Sequence, residues 1–219
     1  MRKSVIMITL ALLLVACSFN KIDGNGEIIT KKINTVKNIS ALNVSGAFDV
    51  EVNIADSTSL SVTTDENLMK FIGLKISGET LKIYTKENLS PTDEIKISLT
   101  TPHLIYVELS GANDLKINGL NEEEFKTDCS GASSLILSGK VNKFDAEISG
   151  SADMNALNLI VNDARLDVSG AANAKIFAKK FLRVSASGAA DIEYAGNPEL
   201  VNVDVSGAAS VNKISTDKK

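Results

Sequence analysis

Ser110-Gly111-Ala112 is one copy of a corner that recurs as Ser130-Gly131-Ala132, Ser149-Gly150-Ser151, Ser169-Gly170-Ala171, Ser187-Gly188-Ala189 and Ser206-Gly207-Ala208, with an outlying copy at Ser45-Gly46-Ala47. From Gly111 onward the glycines step by 20, 19, 20, 18 and 19 residues. A fixed period of this length means one supersecondary unit stacked on itself. Apolar residues alternate on both sides of each corner. Val44, Leu109, Cys129, Ile148, Val168, Ala186 and Val205 stand just before the Ser, with Leu42, Val107, Thr127, Ala146, Leu166, Val184 and Val203 two residues earlier. Val50, Leu115, Leu135, Met154, Ala174, Ile192 and Val211 follow each Gly by four. Period-two alternation on both sides of a glycine is two strands meeting at a bend. Glycine supplies the positive φ, and the Ala beside it is expected to let successive corners lie close.

One coil of about 19 residues laid on the next at the spacing of paired strands is a parallel β-helix with a dry interior of stacked like residues. An apolar residue every sixth position, the mark of the left-handed form, is missing, and so is the nine-residue glycine period of a calcium β-roll. The expected fold is therefore all-β, a right-handed, single-stranded parallel β-helix.

The ends read differently. Residues 1–16 carry Arg2-Lys3 and the apolar run Val5 to Val15, too short for a transmembrane helix and expected to be an export signal. Leu14-Val15-Ala16-Cys17 looks like a bacterial lipobox, so Cys17 is expected to be acylated and to anchor the chain to a lipid membrane. Residues 17–26 are read as the lipidated Cys and a flexible tether, 27–215 as one β-helix domain and 216–219 as a charged tail. The 65-residue step from Gly46 to Gly111 reads as about three less regular coils, with a helical turn near Asp65 to Phe71. Beyond Val211 too little follows to make a substantial cap, so the last coil is expected to offer an open strand edge unless the charged tail folds over it or another chain covers it.

Without residues 1–16 the chain has 21 Lys+Arg against 27 Asp+Glu, a net of −6, and no basic run, which argues against nucleic acid. Cys129 is then the only thiol besides Cys17, and its inward parity makes it a packing residue.

Two polar columns flank the corners. Asn43, Glu108, Asp128, Glu147, Asp167, Ser185 and Asp204 form one, and Asp49, Asp114, Ser134, Asp153, Asn173, Asp191 and Ser210 the other. Both face solvent by parity, and their carboxylates could form a ladder for a ligand or a hard cation such as Ca2+. The more economical reading is local: such residues bond turn backbone and keep the outer face from aggregating. No cofactor is otherwise expected.

Many right-handed β-helices cleave acidic polysaccharides, so an enzyme is one reading of this fold. With no Trp, three Tyr and one His, the aromatic platforms for sugar are thin. Arg165 and Arg183 fall in one column between Asp145 and Asn202, a pattern common on solvated faces, and His103 after Pro102 has no metal-binding neighbours in sequence. No nucleophile elbow, phosphate loop or zinc spacing is present, so no catalytic residue is assigned.

Gly24-Asn25-Gly26, Val44-Ser45-Gly46-Ala47-Phe48-Asp49-Val50 and Val107-Glu108-Leu109-Ser110-Gly111-Ala112-Asn113-Asp114-Leu115 together resemble the family called putative auto-transporter adhesin, head GIN domain, found largely in exported and lipid-anchored proteins of Bacteroidetes. The resemblance implies a pectin-lyase-like β-helix with an adhesive role and no agreed catalytic residues. The expected function is a non-enzymatic outer-membrane lipoprotein, facing the cell surface or the periplasm, that binds a glycan or protein through its strand faces. The alternatives are a homo-oligomerising envelope module, with a trimer favoured, and a polysaccharide lyase or hydrolase.

Overall fold

A computed structural model describes residues 20–34 and 38–215; the export signal expected over 1–16, the expected acylation site Cys17 and the tail 216–219 lie outside the described residues. In chain order the strands are β1 (Ile22–Asp23), β2 (Ile28–Ile33), β3 (Ala41–Gly46), β4 (Asp49–Ile54), β5 (Ser59–Asp65), β6 (Ile72–Ser77), β7 (Thr80–Thr85), β8 (Leu89–Ser90) and β9 (Lys96–Thr101). They continue as β10 (Tyr106–Gly111), β11 (Asp114–Cys129), β12 (Ser134–Ile148), β13 (Asp153–Val168), β14 (Asn173–Ala186), β15 (Asp191–Ala195), β16 (Leu200–Val205) and β17 (Ser210–Lys213). A short 3-10 turn, Met69–Phe71, sits in the expected region.

The strands form a parallel β-helix. Before each corner, β7, β3, β10, the second halves of β11 to β14 and then β16 pair in parallel, rung on rung. After it, β9, β4, the first halves of β11 to β14, β15 and β17 do the same. Leu42, Val107, Thr127, Ala146, Leu166 and Val184 make one buried column, and Val50, Leu115, Leu135, Met154, Ala174 and Ile192 another. At about 25 cal/mol per Å² of apolar surface, this continuous interior is the main stabilising term. Phe125 and Phe144 stack inside it on adjacent coils, ring centroids 5.9 Å apart.

The corner glycines form one line, each with positive φ, from +143° at Gly46 to +76° at Gly207. At Gly150, Gly170, Gly188 and Gly207 a Cβ would lie 2.6, 2.5, 2.5 and 2.8 Å from the carbonyl oxygen of the glycine one coil below. That oxygen accepts the N–H of the residue after the next glycine, as in Ala171 to Gly150 at 2.8 Å. The role expected of the adjacent Ala is corrected: Ala112, Ala132, Ala171 and Ala189 are exposed. The following residue is the one inside the bend, as Asn113, Ser133, Ala152, Ala172 and Ala190, all buried.

The reading of residues 47–110 as three further coils is corrected as well. Gly46 pairs directly with Gly111, so corners 65 residues apart in sequence are neighbouring rungs. Only β7 and β9 add a parallel coil, and they lie on the far side of β3 and β4. Beyond them β6 runs antiparallel to β7, and β5 antiparallel to β9, with β2 antiparallel to β5. The reversed strands β5 and β6, with β2 outside β5, cap the N-terminal end. They share the period of two with coil strands, so alternation cannot tell them apart.

The tether expected over 17–26 is corrected for residues 22–26, which are tied to the rest of the fold. β1 pairs with β8, and Gly26 N donates to Asp65 Oδ1 at 2.8 Å. Asn25 N donates to Asn67 Oδ1, and Asn67 Nδ2 to Asp23 O. Asp65 is fully shielded and also accepts from Thr92 N and Thr92 Oγ1. These bonds, the one from Thr92 Oγ1 foremost, hold its carboxyl below the usual carboxylate range.

The opposite end is uncovered by any described residue. β16 pairs only with β14 and β17 only with β15. Val203 and Val205 continue buried columns yet are 46% and 41% exposed, and Leu200 and Val201 beside them are exposed too.

Candidate functional site

Parallel pairing turns each polar position into a ladder. Glu108, Asp128, Glu147, Asp167, Ser185 and Asp204 stand on successive rungs, with Asn43 below Glu108. Asp49, Asp114, Ser134, Asp153, Asn173, Asp191 and Ser210 form the second column on the adjoining face. Both arrangements follow from side chains alternating across a strand and from coil-on-coil register.

In the first column Asn43 Nδ2 donates to Glu108 Oε2. Tyr106 OH donates to Asp128 Oδ2 at 2.5 Å, a contact that connects neighbouring columns and that alternation alone does not show. Burial, and then this bond to a carboxylate, push the Tyr106 phenol well above its ordinary value. Asp145, Arg165, Arg183 and Asn202 do stack as read; Arg165 Nη2 is 3.3 Å from Asp167 Oδ2, and Lys126 Nζ 3.8 Å from Asp145 Oδ2. Between the acids and the corner serines runs a shallow cleft of about 420 Å³, lined by Glu108, Asp128, Glu147, Asp167, Ser149 and Ser169 among others.

The second column is more internally satisfied. Asn173 Nδ2 donates to Asp153 Oδ1 at 2.7 Å, and Ser210 Oγ to Asp191 Oδ1 at 2.5 Å. Beside it Lys175 and Glu193 pair at 2.6 Å, in a shallow cleft of about 460 Å³.

Among the described residues no group of three or more His, Cys, Asp or Glu converges to hold a metal ion. The two carboxyl groups displaced from their ordinary range, Asp65 and Glu124, are both held lower, Glu124 first by its bond from Lys143. A general acid needs the opposite displacement. Cys129 is buried, and burial pushes its thiol up to about 11, which suits packing. His103 is mostly exposed, its Nδ1 3.2 Å from Glu122 Oε1. What the faces can do is accept hydrogen bonds, rung after rung, from a hydroxyl-rich or cationic ligand.

Fold and faces together define a class: a parallel β-solenoid whose repeated corners build long polar surfaces. The chain belongs to the family described as putative auto-transporter adhesin, head GIN domain, whose sequence profile matches residues 38–198. It is similar to the crystal structure of a putative adhesin from Bacteroides fragilis, with 18% identity, 88% of this chain and 100% of that chain covered, and a TM-score of 0.74. It is also similar to that of a putative adhesin from Parabacteroides merdae, with 20% identity, 89% and 99% covered, and a TM-score of 0.55. No curated protein matches. No helix among the described residues is long and apolar enough to cross a membrane.

Proposed function

We propose that this protein is a non-enzymatic lipoprotein of the cell envelope, exported through residues 1–16 and anchored in the outer membrane by acylation of Cys17. It acts as an adhesin-like binding module through the outer faces of its solenoid. The observation that carries this reading is the unbroken polar ladder from Glu108 to Asp204, bordered by a shallow cleft rather than a deep pocket. Equivalent weak contacts repeated along one rod sum to useful avidity for a glycan or protein that is itself repetitive. Family membership supports the adhesive part. The reading requires no metal, cofactor or nucleic acid.

Two measurements test it. Protease shaving of intact cells should remove the protein from the surface. A panel of envelope glycans and matrix proteins should contain a ligand whose binding weakens in the combined variant Asp128→Asn, Glu147→Gln, Asp167→Asn. Silence across the panel, with the protein protected on intact cells, overturns the reading.

The exposed Val203 and Val205 favour a second, compatible reading, in which two copies meet end to end at β16. An edge strand pairs with one other edge, so this geometry favours a two-fold pair over the trimer expected from sequence. At the capped N-terminal end the open edges belong to β2 and β6, which lie outside the parallel coils, so head-to-tail stacking there would not extend the ladder. Light scattering should show twice the chain mass at high concentration, and the single mass for Val203→Lys. A strict monomer at every concentration removes this reading.

A further inference from the structure

At the capped end a cleft of about 290 Å³ opens between β2 and β6. Ile33, Met69, Ile72 and Leu74 supply its apolar lining, Lys31 and Lys86 its charge, and no carboxylate lines it. The clefts on the outer faces all include Asp or Glu. Like most lysines among the described residues, neither joins an ion pair, so both charges are free to meet a ligand. Lys86 Nζ donates to the Lys70 carbonyl at 3.1 Å, which keeps it at the end of the 3-10 turn. A lysine on the edge strand β2 alone would be a guard against edge pairing. Lys86, just past the end of β7, adds a second positive charge beside an apolar lining, and the combination suits an anion carried on an apolar body.

The position of the cleft narrows the choice. Lys86 N donates to Phe71 O at 2.9 Å, and two residues on Asn88 O accepts Ile22 N at 2.9 Å, so the cleft shares its end of the molecule with the N-terminal segment. Cys17 precedes Ile22 by five residues, a reach of at most about 17 Å. We propose that this cleft binds an anionic phospholipid of the adjacent leaflet, with part of an acyl chain against Ile33, Met69, Ile72 and Leu74 and the headgroup phosphate between Lys31 and Lys86. Its size, just below the roughly 300–1,000 Å³ of small-molecule pockets, suits part of one chain. The leaflet's proximity rests on the lipoprotein reading; the charge and the lining do not. Binding there would stand the solenoid on its capped end, with the polar faces clear of the membrane.

The test uses the unacylated chain from Ser18 onward, which holds every described residue, so that vesicle binding is read independently of acylation. It should sediment with phosphatidylcholine vesicles containing phosphatidylglycerol, but not with pure phosphatidylcholine. Lys31→Glu with Lys86→Glu should weaken binding roughly tenfold or more, from the worth of a lysine at an anionic surface. Lys179→Glu with Lys180→Glu, an exposed pair elsewhere, should leave it unchanged, with circular dichroism confirming that both variants fold. Dispersed short-chain phosphatidylglycerol should compete and inorganic phosphate should not. No sedimentation, equal losses in the two variants, or equal competition by phosphate overturns the proposal. Labelling of Cys17 with palmitate in cells reports on the lipoprotein reading separately, so either can fail alone.

Discussion

A corner glycine meets two requirements that separate at different positions. Gly26 has φ +79° and open space where a Cβ would go, whereas Gly170 combines φ +88° with a Cβ position 2.5 Å from the Gly150 carbonyl oxygen. Alanine at residue 26 should therefore cost only the left-handed backbone, about 1 kcal/mol. Alanine at residue 170 must also push two coils apart, and the expected loss is about 3 kcal/mol or more. Urea unfolding of the two variants checks the ranking, and equal losses would mean that close approach plays no part. Cys129 offers a second test at this scale. With its thiol enclosed and its pKa raised to about 11, labelling by a thiol reagent should be negligible in the native chain and fast only above the unfolding midpoint. The glycine positions were readable because period and residue type coincide. The buried role of Ala152, Ala172 and Ala190 was not, since two small residues in succession leave open which one turns inward.

Among the elements, the clasp on β5 governs how the N-terminal segment is held. Asp65 accepts from Gly26 N and from both Thr92 donors, and a Cβ on Gly24 would overlap its carboxyl group. Its folded pKa is depressed relative to the roughly 3.9 of an unfolded Asp. Stability from this group is thus fully present above that unfolded value and is lost as pH falls through the folded one. Asp65→Ala should raise amide exchange at residues 22–26 at neutral pH, and the difference from wild type should shrink below about pH 4. A difference unchanged by acid would show that the charge is not what holds the segment. Sequence reading took this region as less regular coils and did not show that β5 and β6 run against the coil strands. Alternation fixes which face is inward but not the direction in which a strand runs, and a 65-residue separation does not state how many coils it contains. The tether was misread for a related reason. Its polar residues suit solvent as well as they suit a buried carboxylate on another element, so composition alone could not choose.

For the molecule as a whole, stacking by equivalent positions implies that a coil can be removed. Deleting residues 151–170 joins Gly150 to Ala171 and takes out one full rung, β13 included. β12 would then meet β14 with like residues still opposed: Ile148 over Ala186, Ala146 over Val184, Leu135 over Ala174. Asp145, which faces Arg165 in the intact chain, would face Arg183, so the charge pattern of the outer face survives. The strain falls at Phe144, whose neighbour changes from Ala164 to Leu182 and whose other face already stacks on Phe125. In a stacked repeat, stability is close to a sum over units and their interfaces. Removing about 20 residues at roughly 0.05–0.15 kcal/mol each should cost about 1–3 kcal/mol, plus the crowding at Phe144. The shortened chain should keep its strand circular dichroism and unfold in one transition with a smaller urea m-value, since less surface is exposed on unfolding. Loss of the strand signal would show that the coils are not interchangeable, and the polar ladder would then depend on one particular stack. Retention would instead allow the ladder to be shortened rung by rung, and a ligand bound along it should lose affinity with each rung removed.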